Sequence, residues 1–108
     1  MENNVGIFKL TDSENEIQLD MAPVMDLTVA EDLRLSFLDC LSHGKTIKIM
    51  AGDVDRITTP CLQVLFAMKA KTIEQNIDFI IPTISEAFQK ALKEVGLTDQ
   101  FITSEHNE

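Results

Sequence analysis

The chain reads as a single α/β domain in which helices pack on a mixed, mostly parallel sheet of about four or five strands. Three features lead there. The run from Thr46 to Phe79, TIKIMAGDVDRITTPCLQVLFAMKAKTIEQNIDF, passes from a β-rich stretch through a short acidic loop into a long apolar helix and a further strand. Ile17, Leu19 and Met21 alternate with Gln18 and Asp20, which is the period of a strand. Helix starts and stops recur between the apolar runs at spacings that place helices between strands. Strands alternating with helices imply β-α-β crossovers, and hence mostly parallel pairing, with about three to four helices packed against the sheet.

Taken in order, Val5 to Leu10 reads as a first strand, ended by the polar stretch Thr11 to Glu16. Ile17 to Met21 returns beside it as a hairpin partner and supplies an antiparallel edge. Pro23 makes Met21 to Leu27 an irregular connection. Thr28 and Glu31 have the spacing of a capping box, so the first helix is expected from Val29 to His43, stopped by Gly44. Thr46 to Ala51 is expected as a central strand buried on both faces. Thr59 and Pro60 open the second helix, since proline at a first-turn position loses no hydrogen bond. Asn76 suits the left-handed residue that ends it, before a strand from Ile77 to Ile81. After Pro82, Thr83 and Glu86 form a second capping box, and Gly96-Leu97 closes the third helix. One core should gather Leu33, Phe37, Ile49, Leu65, Ile80, Phe88 and Leu92. The domain is expected over residues 1–97, with a tail at 98–108 whose Phe101 and Ile102 dock on the body.

With 108 residues the chain holds one core and not two. Its 18 acidic side chains against nine basic ones leave a net charge of −9, the wrong balance for a phosphate backbone or an anionic membrane surface. Nucleic acid is therefore excluded as a partner, and the acidity suits solubility or steering towards a basic protein face. No apolar run reaches the length of a transmembrane helix, and MENNVGIFKL has acid where a signal peptide needs base. A cytoplasmic protein is the expectation, without direct membrane insertion. Cys40 and Cys61 are isolated thiols inside apolar helical patterns and read as small buried hydrophobes.

Chemistry-bearing groups are sparse. His43 and His106 lie far apart with no ligand-spaced partner, which argues against a zinc site. Asp53 and Asp55 flank Val54, but a hard cation needs more oxygens than this loop supplies, so they read as solvated acids. No catalytic triad, Cys-His pair or glycine-rich phosphate loop can be assembled. The residues thus predict no catalytic centre, no metal and no cofactor. Thr59 stands out, with two readings. As an N-cap its hydroxyl is worth about 1 kcal/mol of helix stability. As a phosphoacceptor it sits at a helix mouth, where the partial positive charge favours an anion, while Asp53 and Asp55 oppose one. Thr58 is an alternative cap.

Asp26-Leu27-Thr28-Val29-Ala30-Glu31-Asp32-Leu33, Val54, Ile57, Thr58-Thr59, Leu62-Gln63-Val64-Leu65 and Ala91-Leu92 to Gly96-Leu97 together resemble the STAS domain, the sulfate transporter and anti-sigma factor antagonist family. The likeness spans roughly Val5 to Leu97. It implies a compact mixed sheet with helices mostly on one side and a non-enzymatic, protein-binding regulator. In antagonist members an unphosphorylated domain binds an anti-sigma factor kinase, and phosphorylation ahead of the second helix breaks that complex. The matching position is Thr59. The chain departs from the pattern with Thr58 where an Asp is usual, and with Pro60 and Cys61 where small residues are usual. Cys61 to Leu65 is more similar to STAS proteins associated with chemotaxis than to sporulation-type antagonists. A third set of relatives serves lipid-transport ATPases of membranes as accessory subunits. The resemblance places partner binding at Asp53, Asp55, Arg56, Thr58, Thr59 and Gln63. The implied partner is an anti-sigma factor kinase, a chemotaxis protein or an ATPase subunit.

Overall fold

The computed structural model describes residues 2–5 as backbone and 7–96 in full. Ten elements follow one another: β1 Glu2–Val5, β2 Phe8–Asp12, β3 Glu16–Asp20, β4 Val24–Met25, α1 Leu27–Ser42, β5 Thr46–Ala51, β6 Arg56–Ile57, α2 Thr59–Glu74, β7 Phe79–Ile84 and α3 Glu86–Glu94. The main sheet has the order β1-β2-β3-β5-β7. Its first two pairings are antiparallel, and the two joined through α1 and α2 are parallel. This is the expected mixed α/β architecture, with crossover helices returning each strand to the same edge. The first strand is two strands, because the chain reverses between paired Val5 and Phe8. The intervening Gly6-Ile7 is a Gly-X hairpin signal.

One face of the sheet makes the core. Leu10, Leu19 and Ile49 stand side by side across three strands, as do Ile17 and Ile47, and all are buried. Leu33 and Phe37 of α1, Leu65 of α2, and Phe88 and Leu92 of α3 close over them. Each such burial contributes about 1.5–3 kcal/mol. Phe37 also meets Phe79 edge to face, with ring centroids 6.4 Å apart. The opposite face carries Glu16, Gln18, Asp20, Thr46, Lys48 and Met50, all partly exposed. The expectation that Thr46 to Ala51 is buried on both faces is therefore corrected: burial alternates along β5, and among the described residues no helix covers the second face.

Ile80 is a second correction, being 43% exposed. It pairs with Lys48 on the open face, and Ile81 takes the core place. Pairing slips by one between Lys48↔Ile80 and Met50↔Thr83, so Ile49 faces two residues of β7, one of them Pro82. A bulge on an edge strand is where a proline fits without costing a ladder hydrogen bond. That is why the strand expected from Ile77 to Ile81 runs through Pro82 and continues to Ile84.

Helix stops follow the expectation, with Gly44 at φ +67°, Asn76 at +59° and Gly96 at +74°, each in the left-handed region past a helix end. Helix starts do not. Asp26, not Thr28, caps α1: its carboxylate accepts the Thr28 N–H at 3.0 Å, while Glu31 is taken by Arg34. Ser85, not Thr83, caps α3, accepting the Phe88 N–H at 3.1 Å, because Thr83 is still in β7. The N-cap of α2 is Thr58, so Thr59 is already helical and does no capping. The expected docking of Leu97, Phe101 and Ile102 and the tail 98–108 lie outside the described residues.

Two outcomes follow for stability and reactivity. Ser85→Ala should cost about 1 kcal/mol in urea denaturation, the usual value of a lost cap, whereas Thr59→Ala should leave the midpoint unchanged. Cys40 and Cys61 are both buried; burial, reinforced by Asp39, pushes the Cys40 thiol up to about 12, and burial, reinforced by Asp26, pushes the Cys61 thiol up to about 11. Neither should react with a disulfide reagent at pH 8 until the protein unfolds; fast labelling of the native protein would contradict the packing described.

Candidate functional site

The acidic loop before α2 is held by a short segment from another part of the chain. β4 and β6 form a two-stranded parallel sheet of their own, pairing Val24 with Arg56 and Met25 with Ile57. The Pro23 carbonyl accepts the N–H groups of Asp55 at 2.7 Å and Arg56 at 3.1 Å. The Met25 carbonyl accepts the Thr58 N–H at 2.9 Å and, more weakly, the Thr58 hydroxyl at 3.3 Å. The Asp26 carbonyl accepts the Cys61 thiol at 3.3 Å. Met25, Val54 and Ile57 are buried beneath, which leaves Asp53, Asp55 and Arg56 outside. The starts of α1 and α2 are thereby locked side by side.

Thr59 projects from that junction, exposed, and its hydroxyl has no hydrogen-bond partner among the described residues. The amides behind it are largely committed. Pro60 has none, and the Cys61 and Leu62 N–H groups both turn back to the Thr58 carbonyl, at 3.1 and 3.2 Å. The charge pattern around the junction is set by Asp26. Its bond from the Thr28 hydroxyl holds the carboxyl below the ordinary range, with Arg56 adding to the effect against partial desolvation. The same negative charge is felt at Cys61. A carboxylate therefore stands close to the start of α2.

The structure brings Asp53, Asp55, Arg56, Thr58, Thr59 and Gln63 to one loop and helix start. Thr58 is partly buried there and the other five are exposed. Sequence reasoning missed two apolar residues at the same end, Val24 and Leu27, which are 46% and 71% exposed. They lay in the stretch around Pro23 that reads as a connection, and an apolar residue directly after a helix cap was the signal available. It also missed a groove of about 370 Å³ between α1 and α2, lined by Phe37, Leu38, Leu41, Pro60, Val64, Ala67 and Met68 with Arg34, Gln63 and Lys71. Among the described residues no group of three His, Cys, Asp or Glu side chains is placed to hold a metal ion, and no helix is long and apolar enough to cross a membrane.

No family model matches the chain, and no curated protein matches it in sequence. A solved structure does match in three dimensions. It is an anti-sigma factor antagonist from Mycobacterium paratuberculosis, with a TM-score of 0.76 and 16% identity. The match covers 88% of this chain and 81% of that one. At so low an identity the likeness is one of architecture, and this chain has the STAS fold.

Proposed function

We propose that this protein is a non-enzymatic regulator that acts by binding another protein, in the manner of an anti-sigma factor antagonist, in the cytoplasm. The observation that carries the reading is the exposed surface at the start of α2. There Thr59, with no structural bond to make, stands beside a pinned loop presenting Asp53, Asp55 and Arg56. Exposed Leu27 and Val24 add apolar area at the same end, of the kind buried at the centre of a protein interface. The fold shared with an antagonist supports the same class of activity.

We propose further that Thr59 is the point of control. A phosphate there would gain from the helix dipole, about 0.3–1 kcal/mol at a surface site. It would find almost no amide cradle, since Pro60 offers no N–H and the next two are turned to Thr58. The exposed Asp53 and Asp55 of the loop leading to it would oppose it. Phosphate would therefore stay at the surface, where its charge and bulk act on the partner and not on the fold.

The test uses the partner recovered with the protein from its own cells, followed by titration of purified variants. Thr59→Ala should bind as the parent does, and Thr59→Glu should abolish binding while leaving the denaturation midpoint in place. Equal binding by both variants would overturn phosphorylation and leave a constitutive adaptor. The identity of the recovered protein separates an anti-sigma factor kinase from a chemotaxis protein or the subunit of a lipid-transport ATPase.

A further inference from the structure

The groove between α1 and α2 is distinct in chemistry from the rest of the molecule. The chain has twice as many acidic as basic side chains, 18 against nine, yet no carboxylate lines this groove. Its walls are Phe37, Leu38, Leu41, Val64, Ala67 and Met68. Leu38 alone is 46% exposed, an apolar area that the fold does not use. Arg34 on one helix and Lys71 on the other supply the only charges. Both also pair along their own helices, with Glu31 at 2.6 Å and Glu74 at 3.5 Å. Exposed pairs of this kind are worth little and exchange readily for a better-placed carboxylate.

We propose that this groove receives an amphipathic helix of a protein partner, apolar on one side and flanked by acidic residues, an inference that rests on the protein-binding reading above. The dimensions fit. From Pro60 to Lys71 the groove follows α2 for about 16 Å at 1.5 Å per residue, or three turns of a docked helix. Two helices with an apolar seam between them present the standard cradle for a third. Gln63 belongs both to the groove and to the exposed start of α2, so a partner seated at the loop continues into it without leaving the surface. Charge complementarity selects the occupant: a helix bearing Glu or Asp meets Arg34 and Lys71, whereas a basic helix meets two like charges. A second copy is disfavoured, since two chains of net charge −9 repel one another.

The experiment uses the full chain and three synthetic peptides of about 18 residues, long enough to hold a helix. One carries Leu at the first, fourth, eighth and eleventh positions with Glu on either side; the second has Lys for each Glu; the third is a scramble of the first. Binding is followed by the amide chemical shifts of the protein. The acidic peptide should shift Leu38, Val64 and Ala67 and bind more tightly than the other two. Ala67→Glu, at an exposed position, should weaken it about tenfold or more by placing a carboxylate in an apolar contact and engaging Lys71 one turn further along α2. Lys71→Glu should remove the preference for the acidic peptide, because the new carboxylate offsets Arg34. Equal binding of the acidic and basic peptides, or shifts confined to the open sheet face, would overturn the proposal. So would acidic-peptide binding that appears only after residues 97–108 are deleted, which would make the chain's own tail the occupant, or self-association through the groove, which would make it a second copy. Because no cognate partner enters this measurement, its failure leaves the reading of the Thr59 surface standing, and failure of the Thr59 titration leaves the groove standing.

Discussion

Three backbone carbonyls in one short segment, those of Pro23, Met25 and Asp26, hold the loop and helix start proposed as the binding surface. Pro23 takes two amides of the acidic loop, Met25 takes the N-cap of α2, and Asp26 takes the thiol of Cys61. Backbone groups buried at such a junction have to be paired, because each left unpaired costs about 1–3 kcal/mol. Once they are paired in this way, the loop is fixed and the helix starts lie together. Thr59 is then left outside. Asp26 has a second task, since its side chain caps α1 while its carbonyl steadies α2. One residue thus couples the two helices that form the groove.

The sheet contributes by being one-sided. With all its buried residues on the face of Leu19 and Ile49, the helices compete for a single surface, and α1 and α2 must pack against each other as well as against the strands. Phe37 and Leu65 fill the space below. The seam above stays apolar because those helices also carry Leu38, Val64 and Ala67 outwards. The groove is thus a consequence of layered packing with an apolar outer stripe left over. An outer stripe of that kind on a chain of net charge −9 is out of keeping with the rest of the surface, and it marks a place where another molecule is expected.

What was legible in the sequence divides by how local the physics is. Gly44, Asn76 and Gly96 end their helices as read, because a left-handed residue past a helix end is a local matter. The alternation of Ile17 and Leu19 was legible for the same reason, one face of that strand being apolar, whereas the alternation of Ile47 and Ile49 was hidden in a β-branched run that reads as buried on both faces. Helix starts were less so. Asp26 and Thr28 both offer an acceptor, as do Thr83 and Ser85, and which one caps depends on where the neighbouring strand stops. The Thr58 hydroxyl is diverted to a carbonyl 33 residues away, and no local pattern announces that. Ile80 was misplaced because the bulge at Pro82 changes which residues of β7 face inwards. The loop Asp53 to Gln63 was legible as a surface, since acids beside a helix start belong in water. Val24 and Leu27 were not, because their exposure follows from a two-residue strand pairing across 32 positions of sequence.

The central claim is that one continuous surface, from the pinned loop down α2, binds a protein. Hydrogen–deuterium exchange of the chain alone and in complex with the partner from its own cells tests it most directly. Amides from Asp53 to Gln63 should be protected in the complex, with protection extending along α2 towards Lys71 and onto Leu38 of α1. The open sheet face at Gln18, Lys48 and Ile80 should exchange at the same rate in both states. Protection confined to that sheet face, with the loop and α2 unchanged, would contradict the account.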